Sequence, residues 1–316
     1  SGGNANGSSS ISVETKTIFR NSGGGMHNDS SNPTITNTTI TGNSSNFEGG
    51  GMWNTSSSPS ITYTTFTANL ANSGGAIFNY ESSSPTLTNT TFYGNSATSI
   101  GGAMYNWIYS SPTIINSTFT GNSASIGGAV LNEYFSSPDI NNCTFTGNSA
   151  TSNGGAIYND ADSSPNISNS ILWGNGTEIY NDSSTPVVSY SIIQGGYSGT
   201  GNLNANPLFV NAADPDGADN IHRTTDDGLR LQSSSPAINS GNNSVVIETT
   251  DITGAARIQN ITVDMGAYEG GVCPSATTLY VDQSVSSSGN GTSWATALKT
   301  LDEALFIAHN CSGVTT

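Results

Sequence analysis

Short runs in which apolar and polar residues alternate recur along most of the chain. At residues 33–36 and 38–41 an isoleucine stands among threonines, and at 25–28 the apolar residue is Met26. This alternation is typical of half-buried strands, and the intervening Gly, Asn and Ser favour turns. Ser, Thr, Asn and Gly dominate while Leu, Lys and Glu are scarce, so helix propensity is poor. The pattern predicts an all-β protein built from short strands.

The runs belong to a repeat whose step is 25 to 27 residues and which shortens in the last copy. One of its cleanest copies reads Ser-Ser-Pro-Thr-Ile-Ile-Asn-Ser-Thr-Phe-Thr-Gly-Asn over 110–122, and Gly-Gly-Ala-Val-Leu-Asn follows at 127–132. The last asparagine of successive copies falls at Asn28, Asn54, Asn79, Asn106, Asn132, Asn159 and Asn181. A fixed period of this length indicates a solenoid, in which each repeat buries its apolar face only by stacking on its neighbours.

Three short strands and their turns make one coil, so the predicted fold is a single-stranded right-handed parallel β-helix. Coils are expected to stack about 4.8 Å apart, and the right hand follows from the bias of parallel crossovers. The expected inward columns are the aliphatic residues Met26, Met52, Ile77, Met104, Val130, Ile157 and Ile179, the aliphatic residues Ile35, Ile61, Leu87, Ile114, Ile140, Ile167 and Val187, and the small residues Thr38, Thr64, Thr90, Ser117, Cys143, Ser170 and Ser191. The asparagine columns are interpreted structurally, because Asn tolerates left-handed turns and stacked amides bond to one another.

Two motifs within the repeat make the chain similar to a known family. Gly-Gly-Ala-Ile at 74–77 is paired with Phe-Thr-Ala-Asn at 66–69, and Phe-x-x-Asn recurs at 92–95, 119–122 and 145–148. This pairing resembles the repeats of the chlamydial polymorphic outer-membrane proteins. Three later segments resemble the closing part of large β-helical surface proteins of Bacteroidetes-like organisms: 206–210, 235–239 and Val-Asp-Met-Gly-Ala-Tyr-Glu at 263–269. The resemblance covers nearly the whole chain and implies a secreted bacterial cell-surface protein, often an adhesin.

Three regions are predicted along the chain. Residues 1–195 are assigned to the coils, beginning with a partial coil, and 196–271 to an irregular C-terminal cap of the β-helix. Residues 272–316 are predicted to form a strand, a loop and a helix. The helix is expected to place these residues on one face at helical spacing: Leu298, Leu301, Leu305 and Ala308.

The position of the strand and helix segment at 272–316 predicts a modular protein. Proteins of the resembled type begin a β-helix with such a segment, so we interpret it as the start of a following module in a tandem array or filament. The alternative is a terminal element that docks on the same or a neighbouring subunit. The first residues do not resemble a signal peptide. Because a protein of this type must be exported, the sequence is expected to begin inside a longer precursor.

The charge balance narrows the set of partners. Acidic residues outnumber basic ones 22 to 6, and no Lys or Arg lies between residues 21 and 222. Nucleic acid and anionic lipid are therefore not expected as partners, since both need clustered basic side chains. Enzymes of this fold that act on pectin-like acids are also disfavoured, because they need Arg or Lys beside their carboxylates. No apolar run is long enough to predict membrane insertion.

A mostly aromatic column follows the inward aliphatic residues of the third strand and is expected to face outward. Its members are His27, Trp53, Phe78, Tyr105, Leu131, Tyr158 and Tyr180. Rings about 4.8 Å apart would form a platform for sugar rings or for a protein partner. The alternative is that a loop, or the segment after Gly195, covers them. The predicted binding residues are Trp53, Phe78, Tyr105, Tyr158 and Tyr180.

An acidic column supports a rival, enzymatic function. Glu133, Asp160 and Asp182 follow the last asparagine of adjacent copies, which places them at about the 5 Å separation of the carboxylates of a retaining glycosidase. A polysaccharide-active enzyme that uses these stacked carboxylates is the strongest alternative. Acids are also ordinary at turns, and other copies hold different residues in this slot: Thr55, Tyr80 and Trp107.

Outward Thr-x-Thr pairs on successive coils suggest a third function. The pairs are Thr39/Thr41, Thr65/Thr67, Thr118/Thr120 and Thr144/Thr146. They resemble the threonine arrays of β-helical ice-binding proteins, but Tyr93 and Trp173 interrupt the array and Thr is a common strand residue.

An Asp-rich loop is the candidate metal site. Asp214, Asp216, Asp219, Asp226 and Asp227 lie around a Gly turn, and closely spaced carboxylates suit an oxygen-ligated Ca²⁺. The loop lacks a complete EF-hand pattern, and a solvated acidic loop is the alternative.

The three cysteines have different predicted roles. Cys143 stands in the small inner column and is expected to be a buried free thiol. Cys273 and Cys311 flank the terminal segment and are candidates for a disulfide, which an oxidising exterior would allow. No cysteine belongs to a Cys-x-x-Cys motif, so a metal–thiolate site is disfavoured.

Together these features favour a non-catalytic structural and adhesive module of a secreted bacterial surface protein, within a tandem-repeat adhesin or an extracellular filament. The expected partners are further copies or tandem modules, and a carbohydrate or other ligand on a host or neighbouring cell. Calcium is the only cofactor expected.

Overall fold

The computed structural model describes residues 22–259, 262–272, 278–285 and 291–310. Seven coils follow one another between Met26 and Ile193, and each contributes one strand to each of three seven-stranded sheets. Neighbouring strands in these sheets are parallel and in register. The fold is therefore the predicted parallel β-helix.

Each coil passes through the sheets in the order A, B, C, and four coils add a short strand in sheet D. Sheet A contains Met26–Asp29, Met52–Thr55, Ile77–Tyr80, Met104–Trp107, Val130–Glu133, Ile157–Asn159 and Ile179–Asn181. Sheet B contains Thr34–Thr36, Ser60–Thr62, Thr86–Thr88, Thr113–Ile115, Asp139–Asn141, Asn166–Ser168 and Val187–Ser189. Sheet C contains Thr39–Thr41, Thr65–Thr67, Thr91–Tyr93, Thr118–Thr120, Thr144–Thr146, Ile171–Trp173 and Ile192–Ile193. Sheet D contains Leu70–Ser73, Ser96–Ile100, Ser123–Ala124 and Ser149–Ala150.

Sheet D is the one strand set that the alternation pattern did not predict. Its strands span two to five residues and are rich in Ser and Ala, so they carry little strand propensity. They form because backbone hydrogen bonds join one coil to the next; for example, the Leu70 amide donates to the Asn43 carbonyl at 2.9 Å.

The inner columns are confirmed, with one correction. Most members of the predicted columns lie in one continuous core. Its phenylalanines stack almost face to face, with Phe92 and Phe119 centroids 4.5 Å apart and Phe119 and Phe145 centroids 4.4 Å apart. The prediction of Val187 as the last inner residue of sheet B is wrong. Val188 pairs with Ile167 and Val187 is 63 % exposed, because Val188 keeps the two-residue spacing from the preceding proline.

The small inner column is confirmed as well. Its side chains are buried and bond to the backbone of their own turn: the Thr64 hydroxyl donates to the Thr62 carbonyl at 3.0 Å, and the Ser117 hydroxyl to the Ile115 carbonyl at 2.8 Å. Cys143 takes the same place as a free thiol and contacts the Asn141 carbonyl. Burial raises the pKa of this thiol to about 12.

Two asparagine ladders run along the solenoid. In the ladder on sheet A each amide donates to the oxygen of the next, and the first step joins Asn28 to Asn54 at 2.7 Å. The second ladder uses the asparagines of Phe-x-x-Asn, where Asn95 Nδ2 donates to Asn122 Oδ1 at 3.0 Å and to the Phe66 carbonyl at 2.9 Å. Glu178 ends this second ladder by accepting from the last amide. The predicted amide stacking is confirmed.

The conformational part of the asparagine prediction is wrong for these two ladders but holds in the turn between sheets B and C, where these asparagines have φ between 46° and 51°: Asn37, Asn89, Asn116, Asn142 and Asn169. The left-handed backbone lies at the residue before the second ladder, for example Gly42 and Ala68, and in the turn between sheets B and C. The ladder asparagines therefore occur because their amides satisfy buried backbone and one another.

Residues 197–204 lie on the last coil, whereas 205–259 and 262–272, here called the side segment, run back along sheet C. The Ile193 amide donates to the Leu203 carbonyl at 2.9 Å. Further back, Arg223 donates to the Thr64 carbonyl, and Asn116 donates to the Thr250 carbonyl at 2.7 Å. The region predicted as a cap thus covers much of one side of the solenoid. Its short parallel strand pair is Leu231–Gln232 and Gly271–Val272, and it contains the 3-10 turn Asn243–Val245.

A buried ion pair fixes the Val-Asp-Met-Gly-Ala-Tyr-Glu motif inside the side segment. Arg257 contacts Glu269 at 3.1 Å with both side chains 1 % exposed, and it donates to the carbonyls of Gly266 and Ala267 at 3.0 Å. Asp264 accepts from the Asn239 amide at 2.6 Å. Burial, together with the charge of Asp264, raises the pKa of Glu269 to about 7.

The terminal segment contains the predicted helix, which spans Leu301–Asn310, after a 3-10 turn at Trp294–Thr296. Its predicted buried face is partly wrong: Leu301 and Leu305 are 64 % and 45 % exposed. The buried face consists of Leu298, Ala304 and Ile307, which pack on Leu279 and Val281. The helix starts only at Leu301, so the helical spacing counted from Leu298 pointed to the wrong side. The proposed disulfide of Cys273 and Cys311 lies outside the described residues.

Candidate binding face

The outer face of sheet A carries two rows of aromatic side chains. The first row is the predicted column, and its rings contact one another, as with Tyr158 and Tyr180 at 5.1 Å and an interplanar angle of 12°. The second row, one position beyond the ladder asparagines, contains Tyr80 and Trp107, whose rings stack at 5.0 Å. Because side chains alternate along each strand, both rows lie on the side of sheet A that faces away from the core.

Only part of the first row is accessible. Phe78 and Tyr105 are 3 % and 6 % exposed, because Ile100 and Ile126 pack over them together with the second row. The prediction that these two rings present an outward platform is therefore wrong, and the alternative of a covering segment holds for this central part. Half-buried rings remain on both sides and above the covered part: Trp53, Tyr80, Trp107, Tyr158 and Tyr180.

The second row was missed as a binding candidate although the sequence contained a signal for it. Tyr80 and Trp107 occupy the slot that the acidic column uses in later coils, and large aromatic residues are unexpected at a turn that other coils build with Thr or Asp. The periodic position identified them, but their contact with the first row required the three-dimensional stacking of coils.

The acidic column lies at the edge of this face. Glu133 accepts a hydrogen bond from the Tyr105 hydroxyl at 2.5 Å, and burial, together with this bond, raises the pKa of Tyr105. Asp160 accepts from the Ala161 amide at 2.7 Å, and Asp182 accepts from the Ser183 hydroxyl at 3.3 Å. Asp182 is exposed while Glu133 and Asp160 are half-buried. Each carboxylate thus has a local structural partner at the end of its strand.

The Thr-x-Thr array does not form an open surface, so the ice-binding alternative is wrong for this chain. Thr118, Thr120, Thr144 and Thr146 are at most 6 % exposed. The side segment covers them: Thr144 Oγ1 accepts from the Ala267 amide at 3.0 Å, as Thr65 Oγ1 does from Arg223. An array that must meet an ice surface cannot lie beneath the chain's own backbone.

The Asp-rich loop uses its carboxylates in turns. Asp226 accepts from the Asp219 amide at 3.1 Å and from the Thr224 hydroxyl at 2.6 Å, and the latter bond lowers its pKa. Buried Asp227 accepts from the Tyr268 hydroxyl at 2.5 Å. In the described part of the chain, no three His, Cys, Asp or Glu side chains are grouped as metal ligands. Calcium binding by Asp214, Asp216, Asp219, Asp226 and Asp227 stays a prediction without a ligand cluster to carry it.

A polar cleft of about 440 Å³ lies where sheet D ends and the sixth coil, which begins at Ile157, has no strand in that sheet. Its walls are the backbone and small side chains of residues 147–150 and 174–177 with neighbouring Gly and Ser residues. Its lining contains no titratable side chain. Within the described ranges, no helix has the length and apolar character needed to cross a bilayer.

Residues 46–189 match the family model described as "Right handed beta helix region". Together with the parallel register of sheets A to C, this match shows that the solenoid is a right-handed parallel β-helix. No curated protein is significantly similar to the chain. Right-handed β-helices serve both as structural or surface modules and as scaffolds of enzymes. The match therefore identifies the fold, and the activity has to be argued from the side chains of the site.

Proposed function

We propose that the chain is a non-catalytic structural and adhesive module of a secreted bacterial surface protein, and that it binds a carbohydrate chain through the aromatic outer face of sheet A. The observation that carries this proposal is the set of half-buried rings on that face. Trp53 flanks the covered centre on one side, and Tyr158 and Tyr180 flank it on the other. Rings held at the coil spacing can stack on the apolar faces of successive sugar units.

The rest of the proposal rests on shape, composition and resemblance. A solenoid of stacked coils suits a stalk or fibre, because each coil contacts only its neighbours and the array can be extended. The net charge of −16 suits an exposed, soluble surface. Secretion, a cell-surface location, tandem modules or self-association, and the closer relation to chlamydial and Bacteroidetes surface proteins all belong to this proposal. So do the Cys273–Cys311 disulfide and calcium in the Asp-rich loop.

The binding surface is tested by measuring retention on immobilised polysaccharides with a variant that lacks two rings, Tyr158→Ala/Tyr180→Ala. We expect affinity for the retained polysaccharide to fall at least about tenfold, because two stacking contacts are lost. The matched control is Phe47→Ala, which removes a ring that is 52 % exposed outside this face. Equal affinity of the double variant and the parent chain would contradict the assignment of this surface.

The enzymatic alternative is tested by assaying the same polysaccharides for cleavage. Release of soluble products that stops in Asp160→Asn would show that the acidic column is catalytic. Retention of intact polysaccharide without product supports the binding module. Measuring the mass of the intact native polypeptide tests the modular part: a longer chain or a polymer supports a tandem surface protein, and a monomer of this length contradicts it.

A further inference from the structure

The corner between sheets A and B carries exposed aromatic residues in the middle of the solenoid. The A–B corner is defined here as the two residues at each turn that have positive φ in coils 3 to 6: Glu81 and Ser82, Ile108 and Tyr109, Tyr134 and Phe135, Ala161 and Asp162. Tyr109 is 59 % exposed, and Tyr134 and Phe135 are each 48 % exposed. These rings lie outside the two rows of the sheet A face.

The fold does not require aromatic residues at this corner. All eight residues have φ between 48° and 63°, a left-handed conformation that bulky side chains adopt at a cost. Neighbouring coils make the same turn with Ser82, Ala161 and Asp162. Large rings that gain little burial at a strained turn indicate a contact outside the chain.

The corner holds its rings in a fixed arrangement. The Tyr109 amide donates to the Tyr134 carbonyl at 3.0 Å, and the Phe135 amide donates to the Ala161 carbonyl at 3.0 Å. The rings of Tyr109 and Phe135 stack with centroids 5.4 Å apart and planes at 9°. A partner that binds these rings would therefore pay little to order them, which favours affinity.

The charge around the rings selects the kind of partner. Glu81 precedes them by one coil, Glu133 directly precedes Tyr134, and Asp162 occupies the corner of the next coil. No Lys or Arg lies between residues 21 and 222. Aromatic faces bordered by carboxylates attract cations, and guanidinium and ammonium groups satisfy both at once.

We propose that the A–B corner of coils 3 to 6 binds a Lys- or Arg-rich segment of a partner protein. Charge complementarity favours this occupant over a neutral glycan, for which the carboxylates would offer hydrogen bonds and no net attraction. The proposal does not depend on carbohydrate binding by the sheet A face, since Tyr109, Tyr134 and Phe135 are not part of that face.

The test measures binding of a fluorescent oligo-arginine peptide to the whole chain by anisotropy at low and high salt. We expect binding that weakens as salt rises and that falls about 5- to 30-fold in Tyr109→Ser/Phe135→Ser, the loss expected for two exposed cation–π contacts. Serine is the residue that coil 3 already uses at this corner. The matched control Phe47→Ser, at an exposed ring outside the corner, should bind as the parent chain does.

A second variant, Glu81→Gln/Asp162→Asn, keeps the rings and removes two exposed charges, so it should lower affinity at low salt and have little effect at high salt.

The proposal is overturned if the parent chain does not bind oligo-arginine at low salt. An unchanged affinity in the ring variant, or an equal loss in Phe47→Ser, overturns it too. Loss of affinity for a neutral oligosaccharide without loss for the peptide would assign the corner to glycans instead. Tyr158→Ala/Tyr180→Ala should still bind the peptide, so the two proposals fail independently.

Discussion

At the residue scale, single buried asparagines join successive coils of this solenoid through their side-chain amides. A buried amide both donates and accepts, so one residue type repeated in every coil satisfies itself along the axis. Asn106 lies in the middle of the sheet A ladder, fully buried between Asn79 and Asn132. Because each amide supports two neighbours, the loss of one leaves two polar groups without a partner.

Replacing Asn106 by Leu, which has a similarly branched side chain without polar atoms, should therefore destabilise the chain. The amide of Asn79 and the oxygen of Asn132 lose their partners at fully buried positions, and the free energy of unfolding should fall by about 2–4 kcal/mol. Chemical denaturation measures this change. The control Asn72→Leu removes an exposed amide that contacts Thr98 at 3.2 Å, and water replaces that contact. Equal effects of the two substitutions would show that the ladder contributes no more than a surface bond.

At the scale of elements, the side segment depends on close packing against sheet C. Gly266 has φ of +98°, and a Cβ there would lie 2.8 Å from Ile171 Cδ1 and 3.0 Å from Thr144 Oγ1. Gly254 has a similar φ of +89° with no atom within 4 Å of the same position. The two glycines therefore share a backbone requirement and differ in the space around them.

Gly266→Ala should destabilise the chain more than Gly254→Ala. Both variants lose about 1–2 kcal/mol because their backbone conformation disfavours a side chain, and Gly266→Ala loses about 1–3 kcal/mol more from the clash with coil residues. Denaturation measures the stability, and limited proteolysis reports whether the side segment has separated from the coils. Similar losses in the two variants would mean that the segment is not tightly packed on sheet C.

The carboxylates around Arg257 should make the stability of this element depend on pH. One guanidinium faces Asp251, Asp264 and Glu269, and burial with the charge of Asp264 raises the pKa of Glu269 from 4.5 to about 7. The folded chain then binds more protons than the unfolded chain between these values, so the free energy of unfolding should fall as pH rises from about 4.5 to about 7. Urea denaturation across this range measures the slope.

Glu269→Gln removes the titrating group while keeping an acceptor for the backbone amides, so the slope should become shallower. Glu81→Gln serves as the control because Glu81 is exposed. A slope that is unchanged in Glu269→Gln, or that is equally reduced in the control, would contradict this assignment.

At the scale of the whole molecule, the side segment adds contacts to coils that are not neighbours in the solenoid. It contacts coils from Thr64 to Asn169, and its residues Leu231, Ile238 and Met265 bury Ile171 and Ile192 on the outer face of sheet C. In a simple β-helix, each coil contacts only the coils next to it. Here one stretch of chain joins coils that are far apart, so they should unfold together.

A chain that ends after Asn204 should keep its coils and expose this apolar surface. We expect retained β-sheet circular dichroism, increased binding of the dye ANS and a broader unfolding transition, because the covering contacts to Ile171 and Ile192 are lost. The matched control ends after Val272 and keeps the side segment. If both truncations behave alike, the side segment contributes neither cover nor cooperativity.

Much of the coil region could be predicted from the sequence because its information is local and repeated. The inward residues Ile114 and Phe119 are separated by a fixed number of residues from their equivalents in every copy, so one pattern predicts the strands, their parallel order and the amide ladders. The errors occurred where the repeat changes. The pattern predicts Val187 instead of Val188 as the inward residue where the repeat shortens, and the Ser- and Ala-rich strands of sheet D carry too little propensity to be recognised.

The candidate site was less predictable because accessibility is a property of the whole surface. Alternation correctly placed Phe78 and Tyr105 on the outer side of sheet A, but only the packed structure shows that Ile100 and Ile126 cover them. The Thr-x-Thr array failed for the same reason, since no local pattern near Thr144 predicts contact with Ala267, more than a hundred residues later.

The sequence by itself therefore determined the stacked coils, the inward direction of nearly all the column side chains and the positions of the aromatic and acidic columns. These follow from a period that every coil repeats and from alternation within each strand. Only the tertiary structure decided which outward columns meet solvent, where the side segment lies and which helix face is buried. Those outcomes depend on contacts between segments far apart in the chain, whose partners no repeat specifies.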